Sequence, residues 1–203
     1  MSTKKFDSTC LRLYFVVGRA NCVGGLSLND TVYEAARGGV TCVQLTSELT
    51  EVGRELLAIL TACGVPLFVN DNVDAANNLR AGVHLGERDC AFERARDLLG
   101  PDLPLGLSID RLGVVERMKA ARADYYGIGP VFTTSTKKDA APPVGLEGLR
   151  EIVALLEGAP SVAIGGVDAA NVDLVRAVGV DGVAVISAIA AAESPRDAAR
   201  RLL

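Results

Sequence analysis

The 203 residues carry 21 Lys and Arg against 25 Asp and Glu, a formal charge of −4, so no global basic field argues for a nucleic-acid partner. Hydrophobic residues make up 49%, aromatics only 4%, and there are 21 glycines, which suits an aliphatic core under many tight turns, as in parallel α/β folds. No apolar run is long enough to span a bilayer, and residues 1–7 lead into no apolar segment of a secretory signal, so neither membrane insertion nor export is expected. The five cysteines, Cys10, Cys22, Cys42, Cys63 and Cys90, are odd in number and contain no C-x-x-C pair. They read as free thiols of a cytoplasmic protein, three of them small core fillers.

In chain order, residues 1–10 are polar and expected to form a flexible N-terminal arm, with a barrel domain over 11–203. A buried strand is expected at 11–17, and a helix from Ser27 or Asn29 to Arg37, closed by Gly38-Gly39. Strand two follows at 40–45. Residues 50–63 have helical periodicity, with Leu56, Leu57, Leu60 and Cys63 on one face and Gly64 at the end. Further strands are expected at 66–70, 82–85, 105–108, 124–128, 161–164 and 182–185. Helices are expected near 73–79 and at 92–99, 112–121, 146–156, 168–178 (capped by Asp168) and 195–202, with an ambiguous short segment at 188–192. The strand runs are continuously apolar rather than alternating, which indicates parallel strands buried on both faces. Eight β/α units in one chain of this size close most simply into a single (β/α)8 TIM barrel. An open doubly wound sheet is the alternative, but no Gly-x-Gly-x-x-Gly follows strand one.

In such a barrel the C-terminal strand ends carry the site. Those ends hold Gln44, Asn70-Asp71, His84 with Asp89, Ser108 with Asp110, then Thr134, Thr136 and Lys137, then Gly165-Gly166 and Ile186-Ser187. Gly165-Gly166 and Ile186-Ser187 fit a phosphate cradle; tight turns needing positive φ are the other reading. Asp71 and Asp89 could hold Mg²⁺ with a substrate phosphate, or could cap the helices that follow them. His84, the lone histidine, reads as packed and hydrogen-bonded, and cannot build a zinc site alone.

The run Asp-Tyr-Tyr-Gly-Ile-Gly-Pro-Val-Phe-Thr-Thr-Ser-Thr-Lys at 124–137, Val-Asn-Asp at 69–71, Gly-Val-His-Leu-Gly at 82–86 with Asp89, Ala-Ile-Gly-Gly-Val at 163–167 and Gly-Val-Ala-Val-Ile-Ser-Ala-Ile at 182–189 together resemble the thiamine phosphate synthase family. The resemblance implies a (β/α)8 barrel enzyme that joins hydroxymethylpyrimidine diphosphate to thiazole phosphate, releasing pyrophosphate, with Mg²⁺ as cofactor. Its partners would be small-molecule phosphate and diphosphate substrates, and homo-oligomerisation stays open. It also implies roles: Asp71 and Asp89 as Mg²⁺ ligands, Asn70 and Lys137 on the diphosphate, Gln44 facing the pyrimidine, and Ser108 at the reacting end. Thr134, Thr136, Gly166, Ile186 and Ser187 would take the thiazole phosphate.

The chain departs from the family after Gln44-Leu45. There the family has Arg, an acidic residue and Lys, but this chain has Thr46, Ser47 and Glu48. Val17-Gly18 replaces a Thr-Asp, and Glu87 a Gln. Losing two cations predicts weakened diphosphate binding unless Arg19, Arg88 or Lys138 substitutes. Two alternatives follow: a non-catalytic phosphate-ester-binding paralogue, or an enzyme like the related thiazole tautomerase, which has His where this chain has Asp110.

Overall fold

The strands read as unbroken apolar runs because each is covered on both sides, by the barrel interior and by helices. They are Leu13–Val17 (β1), Cys42–Leu45 (β2), Leu67–Asn70 (β3), Gly82–Leu85 (β4), Leu105–Ile109 (β5), Tyr125–Ile128 (β6), Ser161–Ile164 (β7) and Gly182–Val185 (β8). Each pairs in parallel with the next, and β8 pairs with β1, so the sheet closes into an eight-stranded barrel. The computed structural model describes residues 6–46, 51–136 and 141–203. Its helices are Leu28–Gly38 (α1), Glu51–Cys63 (α2), Val73–Leu79 (α3), Phe92–Leu99 (α4), Val115–Ala120 (α5), Gly145–Leu155 (α6), Val172–Arg176 (α7), Ser187–Ala190 (α8) and Pro195–Arg200 (α9). This is the (β/α)8 barrel expected from the alternation of strand and helix. Among the described residues no helix is long and apolar enough to cross a membrane.

Side-chain alternation along each strand divides the core in two. Leu13, Phe15 and Val17 of β1 point outward and join the larger cluster under the helices. Tyr14 and Val16 point inward and join a smaller cluster with Cys42, Phe68, Tyr125, Val162 and Ala184. The narrow interior holds four rings edge to face or stacked: Tyr14, Phe68 and Tyr125 meet at centroid distances of 5.5–5.9 Å, and Phe6 stacks on Tyr125 at 5.8 Å. Glycines make the room. A Cβ on Gly106 would lie 2.2 Å from Tyr125 Cζ, and one on Gly82 2.5 Å from Phe68 Cδ1.

Three strand starts are tied by one device. Thr41, Asp124 and Asp181 each precede a strand, and each side chain accepts from the first N–H of the preceding strand: Leu13 at 2.8 Å, Leu105 at 2.8 Å and Ser161 at 2.9 Å. Donors that the staggered register would leave unpaired are thereby satisfied. Arg96 adds a brace, reaching Asp124 at 2.7 Å and the carbonyls of Gly100 and Leu103 at 2.9 Å.

Some local expectations shift. Phe6–Cys10, expected as part of a flexible arm, carry structure: Ser8–Leu11 form a 3-10 turn capped by Asp7, and Thr41 donates to the Cys10 carbonyl. The segment plugs the barrel floor, and β1 begins only at Leu13. The helix expected at 112–121 divides into a 3-10 turn at Leu112–Val114 and α5. Asp168 does not cap the next helix. Its carboxylate accepts from the Ala170 N–H in a turn, and α7 starts later, after Asn171. All five cysteines are free, but only Cys42 is fully buried.

Candidate active site

Six side chains, one from each of β1 to β6, form a continuous hydrogen-bonded chain through the barrel. Ser108 Oγ lies 2.9 Å from His84 Nε2, and His84 Nδ1 lies 3.0 Å from the Tyr125 hydroxyl. Tyr125 and Tyr14 hydroxyls meet at 2.7 Å, Tyr14 donates to Gln44 Oε1 at 2.8 Å, and Gln44 Nε2 donates to Asn70 Oδ1 at 2.6 Å. Its polarity at the tyrosines follows from counting protons. Gln44 Oε1 only accepts, so the Tyr14 proton is committed to it and Tyr125 donates to Tyr14, which leaves the Tyr125 oxygen to accept from His84 Nδ1–H. At the far end the His84 tautomer and charge set which way the Ser108 bond runs, and with a neutral imidazole Nε2 would accept from Ser108. Burial pushes the Tyr14 and Tyr125 hydroxyls well above the ordinary phenol range, so both stay protonated.

Gln44, Asn70 and Ser108, named from the sequence as separate contacts, are therefore one connected unit. His84 is hydrogen-bonded as expected. Tyr14 and Tyr125 were not anticipated. Their signal is phase: Tyr14 alternates inward with Val16, and Tyr125 sits two residues before Gly127, whose bare face receives the His84 ring.

Outside the barrel mouth, the β3 and β4 loops present the two aspartates. Neither serves as a helix cap. Asn72 caps α3, accepting from Ala75 N–H at 2.9 Å, and α4 has Ala91 at its N-cap and no side-chain cap. Asp71 is exposed and adopts φ 62, a left-handed conformation that Asp tolerates better than most residues. Asp89 closes its own turn, accepting from Gly86 N–H at 2.6 Å. Asn70, Asp71 and Thr46 line one cavity of about 610 Å³ that runs on to Cys90 and Arg94 of the next unit. Among the described residues no three His, Cys, Asp or Glu side chains cluster as a metal cage.

The loops after β6, β7 and β8 sit side by side. Val131 N–H donates to Ile164 O at 2.8 Å and Phe132 N–H to Gly165 O at 2.9 Å, so the β6 loop keeps pairing along the β7 exit. Gly165 and Gly166 have φ 98 and 67, and a Cβ on Gly166 would lie 2.7 Å from Phe132 Cβ, so glycine is required there by both conformation and space. This brings Gly166 beside the Phe132–Thr133 segment that leads to Thr134, whose Oγ1 accepts from Thr136 N–H at 3.2 Å. Ile164 pairs with Ala184, so Gly166 and Ile186 each stand two positions past a paired residue, and Ser187 opens α8. Lys137, Lys138 and Glu48 lie outside the described residues. Two departures find partners: Glu87 pairs with Arg111 at 2.8 Å and with Arg117, and Asp110 pairs with Arg111 at 2.6 Å. The Arg117 and Arg111 guanidiniums hold the Glu87 carboxyl below its usual range.

The profile of the family described as thiamine monophosphate synthase matches residues 13–189. A thiamine-phosphate synthase of Albidiferax ferrireducens is 44% identical over 200 residues, covering 95% of this chain and 90% of that protein. One from Clostridium novyi is 42% identical over 185 residues, covering 88% and 90%. Among solved structures, a thiamine phosphate pyrophosphorylase from Pyrococcus furiosus superposes with a TM-score of 0.85 at 36% identity, covering 96% of this chain and 95% of that one. A 4-hydroxy-2-oxoglutarate aldolase superposes at 0.69 with 19% identity and shares the fold alone. With the family profile spanning β1 to α8 and near-full-length relatives above 40% identity, this chain belongs to the thiamine monophosphate synthase family.

Proposed function

We propose that this chain is a cytoplasmic thiamine phosphate synthase, a transferase of thiamine biosynthesis. The observation that carries the reading is the internal chain from Ser108 to Asn70, which presents three polar groups at one barrel mouth beside a glycine-lined loop pair. In the reaction, the bond from the pyrimidine methylene carbon to the diphosphate oxygen breaks, and its electron pair leaves with pyrophosphate. The thiazole nitrogen lone pair then forms the new carbon–nitrogen bond. No protein nucleophile is needed, so the residues act by holding and orienting.

Gln44, with its amide orientation set by Tyr14, would face the pyrimidine, and Ser108 would accept from it at the reacting end. Asn70 and Lys137 would take the diphosphate. Thr134, Thr136, Gly166, Ile186 and Ser187 would hold the thiazole phosphate through hydroxyls and backbone N–H groups. The donor set fits Mg²⁺: Asp71 and Asp89 are hard oxygen ligands on adjacent loops, neither consumed as a cap, and Mg²⁺ takes one or two carboxylates with substrate phosphates completing its shell. Bound there, the ion would supply positive charge to the diphosphate oxygens.

The test incubates both substrates with Mg²⁺ and follows thiamine phosphate against a no-enzyme control. Thiamine phosphate above the control is the expected result. Binding of thiazole phosphate without any product would instead favour the non-catalytic paralogue. The ion pair from Asp110 to Arg111 counts against a tautomerase, because it engages the group that would have to move the proton.

A further inference from the structure

Among the described residues, the cavity shared by Thr46, Asn70 and Asp71 has one cation in its lining, Arg94, the third residue of α4. Three nearby arginines are committed elsewhere: Arg96 is tied to Asp124, and Arg111 and Arg117 to Glu87. Arg88, on the loop before α4, is not among the residues lining the cavity. Arg94 is exposed and makes no ion pair or hydrogen bond among the described residues. The cavity wall also carries Asn70 and two carboxylates, Asp71 and Asp74, and an uncommitted guanidinium among them has the chemistry to grip a multiply charged anion that arrives with Mg²⁺: its planar fork matches two phosphate oxygens at once. Thr46, at the β2 exit, brings no charge to the same cavity.

We propose that Arg94 binds the diphosphate group of the substrate, and the pyrophosphate it becomes, from the α4 side of the cavity. This rests on the reading of the site as one for a diphosphate ester, and it supplies positive charge at a place where the end of β2 has none. It adds a residue from the β4–α4 unit to the set inferred from the sequence.

The probe is inorganic pyrophosphate with Mg²⁺, titrated calorimetrically into the full chain and into Arg94→Ala, Arg94→Lys and Arg150→Ala. Arg150 is an exposed residue of α6, outside the cavity lining, and controls for the loss of one positive charge. Arg94→Ala should weaken pyrophosphate binding about tenfold or more, as for loss of a charge-assisted pair, and leave thiazole phosphate affinity unchanged. Arg94→Lys should lie between it and the parent, because the charge stays but the fork is lost. Arg150→Ala should bind like the parent. Pyrophosphate affinity in Arg94→Ala within twofold of the parent overturns the proposal, and so does an equal loss in Arg150→Ala. The two readings separate cleanly. Thiamine phosphate formation with an Arg94-independent pyrophosphate affinity refutes Arg94 alone. Arg94-dependent pyrophosphate binding in a protein that forms no thiamine phosphate refutes the synthase reading alone.

Discussion

Removing the Tyr14 hydroxyl is the sharpest perturbation of the buried chain. Tyr14→Phe keeps the ring that packs edge-on against Phe68 and Tyr125, but deletes an oxygen that donates to Gln44 at 2.8 Å and meets Tyr125 at 2.7 Å. Two buried groups lose partners: Gln44 Oε1, in a residue only 4% exposed, and the Tyr125 hydroxyl proton. At about 1–3 kcal/mol for each stranded group, the variant should lose about 3 kcal/mol. For a chain of this length that is a melting-temperature drop of roughly 6–12 °C. Tyr125→Phe strands the Tyr14 oxygen and removes the Tyr125 partner of His84 Nδ1, and should cost a similar amount. The double variant loses only the bonds to Gln44 Oε1 and His84 Nδ1, because the two hydroxyls that needed each other are both gone. It should therefore lose about 3 kcal/mol rather than about 6, a coupling of roughly 3 kcal/mol. Urea unfolding of the four proteins measures this. If the two single losses add to within about 0.5 kcal/mol, the hydroxyls are independent and the chain is no unit. In turnover, Tyr14→Phe should raise KM for the pyrimidine diphosphate and leave thiazole phosphate affinity unchanged, since the lost hydroxyl anchors Gln44 and the residues linked to it and none of the loops after β6 to β8.

The same tyrosines set an alkaline limit. Their folded hydroxyls titrate well above the unfolded value near 10, so their contribution is whole below pH 10 and is lost as pH rises through the folded values, at about 1.4 kcal/mol per pH unit each. Melting curves should fall above pH 10, and the fall should flatten in the double Phe variant. Gly106→Ala would place a Cβ 2.2 Å from Tyr125 Cζ and should cost more than about 3 kcal/mol, whereas Gly113→Ala, which meets nothing within 4 Å, should be near neutral by thermal unfolding. Asp71→Asn should leave stability within about 0.5 kcal/mol, because Asn also tolerates the left-handed backbone and Asn72 is the cap of α3. Its Mg²⁺-dependent product formation should fall by about a hundredfold or more; a collapse of the fold instead would make Asp71 structural.

The fold was legible in the sequence because a closed parallel barrel buries both faces of every strand, and eight short apolar runs between helices state that requirement directly. Gln44, Asn70, Asp71, Asp89 and Ser108 could be named because they are polar residues at the ends or exits of those runs. Helix starts were less legible: Asp168 looks like a cap, yet the chain turns once more before α7, and only the packing of that turn chooses between them. The structure at 6–10 was not legible because Phe6 gains its partner only when β6 brings Tyr125 across the barrel floor. What tertiary structure alone decided is the linkage. Tyr14 and Tyr125 lie 111 positions apart, and nothing local to either tells that their hydroxyls meet. Barrel closure and the register of β1 with β2 and of β5 with β6 put them within reach, with Gly106 leaving the space. A hydrogen bond needs a distance near 3 Å and a partner of opposite role. Sequence states the role of each group, and only the closed barrel supplies the distance.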